Sequence, residues 1–278
     1  MTAPIRTRSW LFTPATRPER FAKASQAGAD VAILDLEDAV APGDKARART
    51  IALDYLTKNP SDGALHALRI NGLDTRAGIS DLDALLGSQA APDFLVLPKT
   101  ETAGHIEILD RVLTAAGKAT RLIGLIESAR GLAAVEAIAT ATPRLAGLML
   151  GAADMAADLG ATVAWEPLAF VRCRLIAACA LAGVVSVDSP YFDLHDEPGL
   201  KREVDGAVSF GFSAKAAIHP AQIGAINAAL TPSAEAVKRA RAILAENTKG
   251  VGTVDGQMID EAVARKARRT LFSAGLEA

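Results

Sequence analysis

The chain reads as an α/β protein of the (β/α)8 TIM-barrel class with a C-terminal helical appendage, and three observations predict it. Eight short apolar runs recur at fairly regular spacing as far as residue 219. Stretches with helical periodicity separate them. The segment after the first run, LFTPATRPERF, lacks the glycine-rich turn that a doubly wound nucleotide-binding sheet would carry there.

The runs are SWLF (9–12), VAILDL (31–36), LHALRI (65–70), DFLVLP (93–98), RLIGLI (121–126), LAGLML (145–150), VVSVDS (184–189) and AKAAIH (214–219). Most are nearly continuous in apolar residues, as strands covered by helices must be. PERFAKASQAGA, DKARARTIALDYL, TAGHIEILDRVLTAAG and PLAFVRCRLIAACALAG are good helix formers with a buried stripe. Strand–helix alternation makes βα units and a parallel sheet, and about eight units is the count of a closed barrel. Residues 1–230 are therefore assigned to the barrel. Residues 231–278 are assigned to an extension that packs on the barrel or on a neighbouring subunit. In it, Pro232 suits a helix start, residues 233–246 form a charged amphipathic helix, NTKGVGTVDG (247–256) is a glycine-punctuated loop, and MIDEAVARKARRTLF begins a last helix.

With 278 residues, half of them hydrophobic, the chain can bury one large core. Its 30 basic and 32 acidic residues give a net charge of −2. No basic tract points to nucleic acid or an anionic membrane, and no apolar run approaches a membrane span. Cys173 and Cys179 sit two helical turns apart, too far to bridge, and read as small buried hydrophobes of a reducing compartment. With no long apolar region near the N-terminus, a cytoplasmic protein is expected.

In a barrel the chemistry lies at the C-terminal ends of the strands. The polar residues there are Asp35, Glu37 and Asp38, Arg69 and Asn71, Lys99, Glu127, Asp154, Asp188 and His219. Strand ends meet water, so each alone has a plain explanation. Together they place several acids and two cations at one mouth. Glu127 in LIGLIESARG and Asp154 in LMLGAADMA leave adjacent strands, so the two carboxylates can share a divalent cation. All-oxygen ligation with few protein ligands suits Mg2+, or Mn2+ in its place. On spacing alone, two helix caps or salt bridges to Arg69 and Lys99 fit equally well. Gly151, Ala152 and Ala153 open a helix with small residues and form a seat for a substrate carboxylate. Arg69 offers a planar fork for a carboxylate or an enolate oxygen. Asp35, Glu37, Asp38 and Lys99 are placed behind these groups, orienting them. Asp188 is a further candidate for the mouth, and His219, followed by Pro220, is read as structural.

LFTPATRPERFAKASQAGADVAILDLEDAV, LRIN, LVLPKTE, LIGLIESARGL, LMLGAAD, GFSAKAAIHPAQI and GQMID, in that order, resemble the citrate lyase beta-subunit-like branch of the HpcH/HpaI aldolase superfamily across nearly the whole chain. The resemblance implies a (β/α)8 barrel, Mg2+ on Glu127 and Asp154, and Arg69 binding substrate. It implies reversible Claisen-type cleavage of a short-chain 2-hydroxyacyl thioester, malyl-CoA or citramalyl-CoA in kind, to an acyl-CoA and a 2-oxoacid. It also implies a homo-oligomer, trimer or hexamer, in which Asp260 of GQMID serves a neighbouring subunit's site as acid/base. Ala153 departs from the family pattern, which carries an acid there, and leaves substrate preference open. Three other readings stay in play. They are a citryl-thioester lyase subunit working with an acyl carrier protein, a 2-oxoacid aldolase needing no thioester, and a non-catalytic binder of CoA or a metabolite. The basic Lys45, Arg47 and Arg49 are read as a solvated helix face.

Overall fold

The eight runs form eight strands that close on themselves in chain order, first against last. They are β1 Ser9–Pro14, β2 Val31–Asp35, β3 Leu65–Arg69, β4 Phe94–Leu97, β5 Arg121–Ile126, β6 Leu145–Leu150, β7 Val185–Asp188 and β8 Ala214–Ala217. The computed structural model describes residues 7–59, 61, 63–247 and 252–276. Every neighbouring pair in the barrel is parallel, and the seam joins Ser9, Trp10 and Leu11 to Lys215, Ala216 and Ala217. Helices α1 Phe21–Gln26, α2 Lys45–Lys58, α3 Arg76–Gly87, α4 Ala103–Ala115, α5 Ala129–Ala133 and α6 Val135–Ala139 follow the first five strands. Helices α7 Ala152–Leu159, α8 Ala169–Ala182, α9 Glu197–Phe210 and α10 Ile223–Ala229 follow the last three.

Strand periodicity explains the two-layered core. Val31 and Ile33 of β2, Ala67 of β3, Val96 of β4, Leu125 of β5 and Met149 of β6 pack in one cluster with Trp10 and Phe94, whose rings lie 5.0 Å apart. The alternate residues Leu34, Leu68, Leu95, Leu122 and Leu148 join a larger cluster with the helices. Local signals start the helices as sequence chemistry requires. Thr75, Thr102 and Ser128 each accept a backbone N–H of the first turn.

The C-terminal segment differs from its sequence-based expectation. Helix α11 Ala234–Asn247 and helix α12 Glu261–Ser273 pack together. Between them Gly252–Val254 pairs antiparallel with Gln257–Ile259, where a loop was expected. The turn is Asp255-Gly256, with φ of +50° and +75°, which fits a two-residue hairpin that needs left-handed residues at both central positions. Residues 248–251 of the expected loop lie outside the described residues. Met258 and Ile259 belong to this hairpin, and the last helix starts only at Glu261. Ala240, Ile243, Ile259, Ala267 and Leu271 form a core of their own. Cys173 is exposed, contrary to expectation, and only Cys179 is buried. Among the described residues no helix is long and apolar enough to cross a membrane.

Candidate active site

Asp35 ends β2, Arg69 ends β3, and their Cα positions are register partners. Each continues the inward parity of its strand, so both side chains turn into the mouth instead of toward the helices. Arg69 Nε and Nη2 donate to the two Asp35 oxygens, both at 2.7 Å. Its Nη1 lies 2.8 Å from Glu37 Oε2 and 3.5 Å from Asp38 Oδ2. The Glu37 contact is ionic only, because no N–H points at that buried oxygen. Asp35 takes Nε–H and one Nη2–H, so guanidinium donors remain for a ligand. Phe12 covers the guanidinium, 4.8 Å from ring centre to Cζ. Burial alone would lower the Arg69 pKa, but Asp35, Glu37 and Asp38 together hold it above its ordinary value.

Glu127 follows β5 by one residue and is buried. Its Oε1 accepts the backbone N–H of Lys99 at 2.6 Å. Among the described residues no cation pairs with it directly: Lys99 Nζ reaches Glu37 instead, at 3.3 Å. Burial, and then Glu37 and Asp154, push the Glu127 carboxyl up to about 8, against the opposing Lys99 amide and Arg69. Burial likewise lifts Glu37 to about 6, although Arg69 opposes it. Asp154, in the first turn of α7, is exposed. No hydrogen bond or ion pair engages it among the described residues.

Asp35, Asp38, Arg69, Glu127, Asp154 and Gly151, Ala152 and Ala153 line one cavity of about 390 Å³. The remaining wall is apolar, with Phe12, Leu125, Met149, Pro190, Phe192 and Ile218. Sequence reasoning overlooked this wall. Phe12, Leu125 and Met149 were legible as inward positions at strand ends. Phe192 lies in an irregular loop and gave no signal.

Two carboxylates short of positive charge, one buried and one open, fit a hard divalent cation. It would replace the protons that burial otherwise forces on Glu127. Among the described residues no cluster of three or more His, Cys, Asp or Glu side chains could hold a metal. A cation here would therefore complete its shell with water and substrate oxygens. The alternative of separate salt bridges fails for this pair, since Arg69 and Lys99 are taken up by Asp35, Glu37 and Asp38.

Several expected positions fall elsewhere. Asp188 turns outward, where it meets Arg172 Nε at 3.0 Å and Lys215 Nζ at 2.6 Å, because Val187 takes the inward parity of β7. Asn71 is held by Asp81 and by the carbonyl of Leu36. Lys45 donates to the carbonyls of Leu36 and Glu37, and Arg49 pairs with Asp81 at 2.6 Å. Of the expected solvated helix face, only Arg47 remains exposed, paired with Asp44. His219 is structural, accepting the N–H of Ala221 in a capping box with Gln222. Asp260 does not line the cavity of its own chain. It is exposed and caps α12 by accepting the N–H of Val263 at 2.9 Å.

Residues 8–220 match the model of the HpcH/HpaI aldolase/citrate lyase family. The chain belongs to that family. The HpcH/HpaI assignment makes it a lyase, and the relatives agree. It is 36% identical to the L-malyl-CoA/beta-methylmalyl-CoA lyase of Rhodobacter capsulatus over 95% of this chain and 94% of the relative. It is 38% identical to a citrate lyase subunit beta-like protein of Mycobacterium tuberculosis over 96% and 95% of the two chains. Among solved structures, RipC from Yersinia pestis shares 58% identity with a TM-score of 0.74, covering 83% of this chain and 98% of RipC. CitE from M. tuberculosis, crystallised with magnesium, acetoacetate and coenzyme A, superposes with a TM-score of 0.80 at 36% identity, covering 97% and 98%. Magnesium is thus a ligand within this HpcH/HpaI family.

Proposed function

We propose that the protein is a Mg2+-dependent carbon–carbon lyase that cleaves a short-chain 2-hydroxyacyl-CoA thioester, of malyl-CoA or citramalyl-CoA type, reversibly to an acyl-CoA and a 2-oxoacid. The observation that carries this reading is that Glu127 and Asp154, both without an ion-pair partner among the described residues, share the cavity that also holds Arg69. Relatives named as lyases of such thioesters, and a neighbour crystallised with magnesium and coenzyme A, support it.

Glu127 and Asp154 would hold the metal, which when bound supplies Lewis-acid polarisation and a template for the acid end of the substrate. The backbone of Gly151 to Ala153, at the start of α7, seats the substrate carboxylate. In cleavage the substrate hydroxyl gives up its proton to solvent water and its carbon becomes the 2-carbonyl of the 2-oxoacid. The carbon–carbon bond breaks, with its electron pair passing into the thioester enolate. Arg69, fixed by the Asp35 fork, directs its free N–H groups at the developing oxyanion. Glu37, Asp38 and Lys99 stand behind it and set the charge of the mouth. Asp260 delivers a proton to the enolate carbon. Since Asp260 lies on the 231–278 extension and away from its own cavity, this reading requires a homo-oligomer in which one subunit's extension serves another's mouth. Mn2+ would serve in place of Mg2+.

The test is turnover of malyl-CoA and citramalyl-CoA after removal of metal with EDTA. Activity should vanish and return with Mg2+ or Mn2+. A rate indifferent to EDTA overturns the metal assignment. Cleavage that needs no thioester points to the simpler aldolase chemistry.

A further inference from the structure

We infer that residues 99 and 151 decide which oxygen of Glu127 is free for a ligand: the left-handed backbone of Lys99 ties up Oε1 with its N–H, and the missing side chain of Gly151 keeps the space at Oε2 open. The inference rests on the metal reading above and adds to it that Glu127 binds through one oxygen, chosen by its neighbours.

The geometry starts where β4 leaves the sheet. Its pairing with β5 ends at Leu97 opposite Gly124, and Pro98, with no N–H, cannot extend it. Lys99 then adopts φ of +50°. Among the described residues only Asp255 shares a positive φ without being glycine, and there the Asp-Gly turn explains it. A lysine has no such local reason, and an L side chain resists this region. The turn at 99 swings the N–H off the ladder onto Glu127 Oε1 at 2.6 Å. The chain rejoins β5 one residue later, where Thr100 N–H meets the Leu125 carbonyl at 3.1 Å. Strain at a strand end beside an acid, held on both sides by regular bonds, is the pattern of a positioning device.

Gly151 stands on the other side. Its φ of −93° suits any residue, so conformational freedom does not explain a glycine there. Space does. A methyl group at 151 would lie 2.6 Å from Glu127 Oε2 and 2.6 Å from its Cβ. The Gly151 N–H is fixed to the Ile126 carbonyl at 3.0 Å, so the backbone cannot simply retreat. One Glu127 oxygen is thus occupied by an amide, and the other faces the space that a side chain at 151 would fill.

For metal binding, then, the backbone conformation of residue 99, which touches Glu127, matters more than its ammonium, which pairs with Glu37. The test measures Mn2+ affinity by the EPR signal of free Mn2+ and by calorimetry, without turnover, in wild type and in Lys99→Gly, Lys99→Asn, Lys99→Val and Gly151→Ala. All three residue-99 variants remove the ammonium, but glycine and asparagine accept a left-handed backbone and β-branched valine does not. Lys99→Val and Gly151→Ala should each weaken Mn2+ binding by about tenfold or more, the usual loss when a partner of a metal ligand is removed. Lys99→Gly and Lys99→Asn should bind close to wild type. Equal loss in all three residue-99 variants, or full affinity in Gly151→Ala, overturns the inference while leaving the metal reading intact. No binding by wild type overturns both. Circular dichroism establishes that each variant folds. Should Lys99→Val fail to fold, the Gly and Asn variants set against Gly151→Ala decide the matter.

Discussion

Two buried ion clusters sit on opposite faces of the same barrel wall. At the mouth, Arg69 meets Asp35, Glu37 and Asp38. On the helix side, Lys215 of β8 meets Asp188 and Glu203, and Arg172 joins through Asp188. The outer cluster is balanced, two cations against two acids, although Arg172 Nη1 has no hydrogen-bond partner among the described residues. The three N–H groups of Lys215 find Asp188 at 2.6 Å, the Ser189 carbonyl at 2.8 Å and Glu203 at 2.8 Å. The Arg172 guanidinium stacks 4.2 Å from the Trp165 ring. The mouth cluster is acid-rich and open. Glu37 Oε2 has no hydrogen bond, and Glu127 next to it is pushed up to about 8 by burial and then by Glu37 and Asp154. Burial and charge alone do not mark a working site; an unbalanced set that faces a cavity does.

The same substitution in each cluster would break or sharpen that contrast. Arg69→Met removes an oxyanion donor, leaves buried Asp35 without its cation and leaves Glu37 with Lys99 alone. Its rate should fall by about 10²–10³-fold, with folding stability reduced as well, read by steady-state kinetics and urea unfolding. Lys215→Met should cost about 3–5 kcal/mol of stability, the usual loss when one partner of a buried pair is removed. The turnover of its folded fraction should stay close to wild type. Lost turnover in Lys215→Met at full folding would erase the distinction between the two clusters.

The smallest effect is a pH dependence that only the mouth should show. Without metal, the folded protein keeps a proton on Glu127 up to about pH 8, whereas an unfolded carboxylate releases it near 4.5. Between those values the folded state binds more protons, so stability falls as pH rises, by at most about 1.4 kcal/mol per unit. Glu37, lifted to about 6, adds the same sign at the lower end. In EDTA the Tm should therefore drop from pH 5 to pH 8, and the gain in Tm from Mg2+ should be larger at pH 8, where no proton competes. A Mg2+ effect independent of pH would mean that the cation binds away from Glu127.

Most of this fold was legible because each strand is a nearly continuous apolar run between helical stretches. Position at a strand end was enough to place Asp35 and Arg69 at the mouth, and the structure shows them continuing the inward parity of Val31–Ile33 and Leu65–Ala67. Asp188 was misread because VSVD alternates polar and apolar residues, and a polar stripe facing the helices is unusual in a barrel. Only the buried Arg172 and Lys215 make it tolerable. The hairpin at 252–259 was hidden because its strands are only three residues long, GTV and QMI, too short for a period to show. The left-handed Lys99 carries no sequence sign at all, since neither glycine nor asparagine stands there. The apolar wall could be read only where strands supply it, and the loop that brings Pro190 and Phe192 to the cavity had no periodicity to follow.

The seam of the barrel has a consequence for biosynthesis. Lys215 N–H bonds to the Arg8 carbonyl at 2.8 Å, and the Arg8 side chain grips Asp30 and Thr231. The barrel's first strand therefore waits for its eighth. Until residues near 217 emerge, the nascent sheet has two unpaired edges, each a template for wrong partners. Truncated or stalled chains of this protein should be far more prone to aggregate than the finished one.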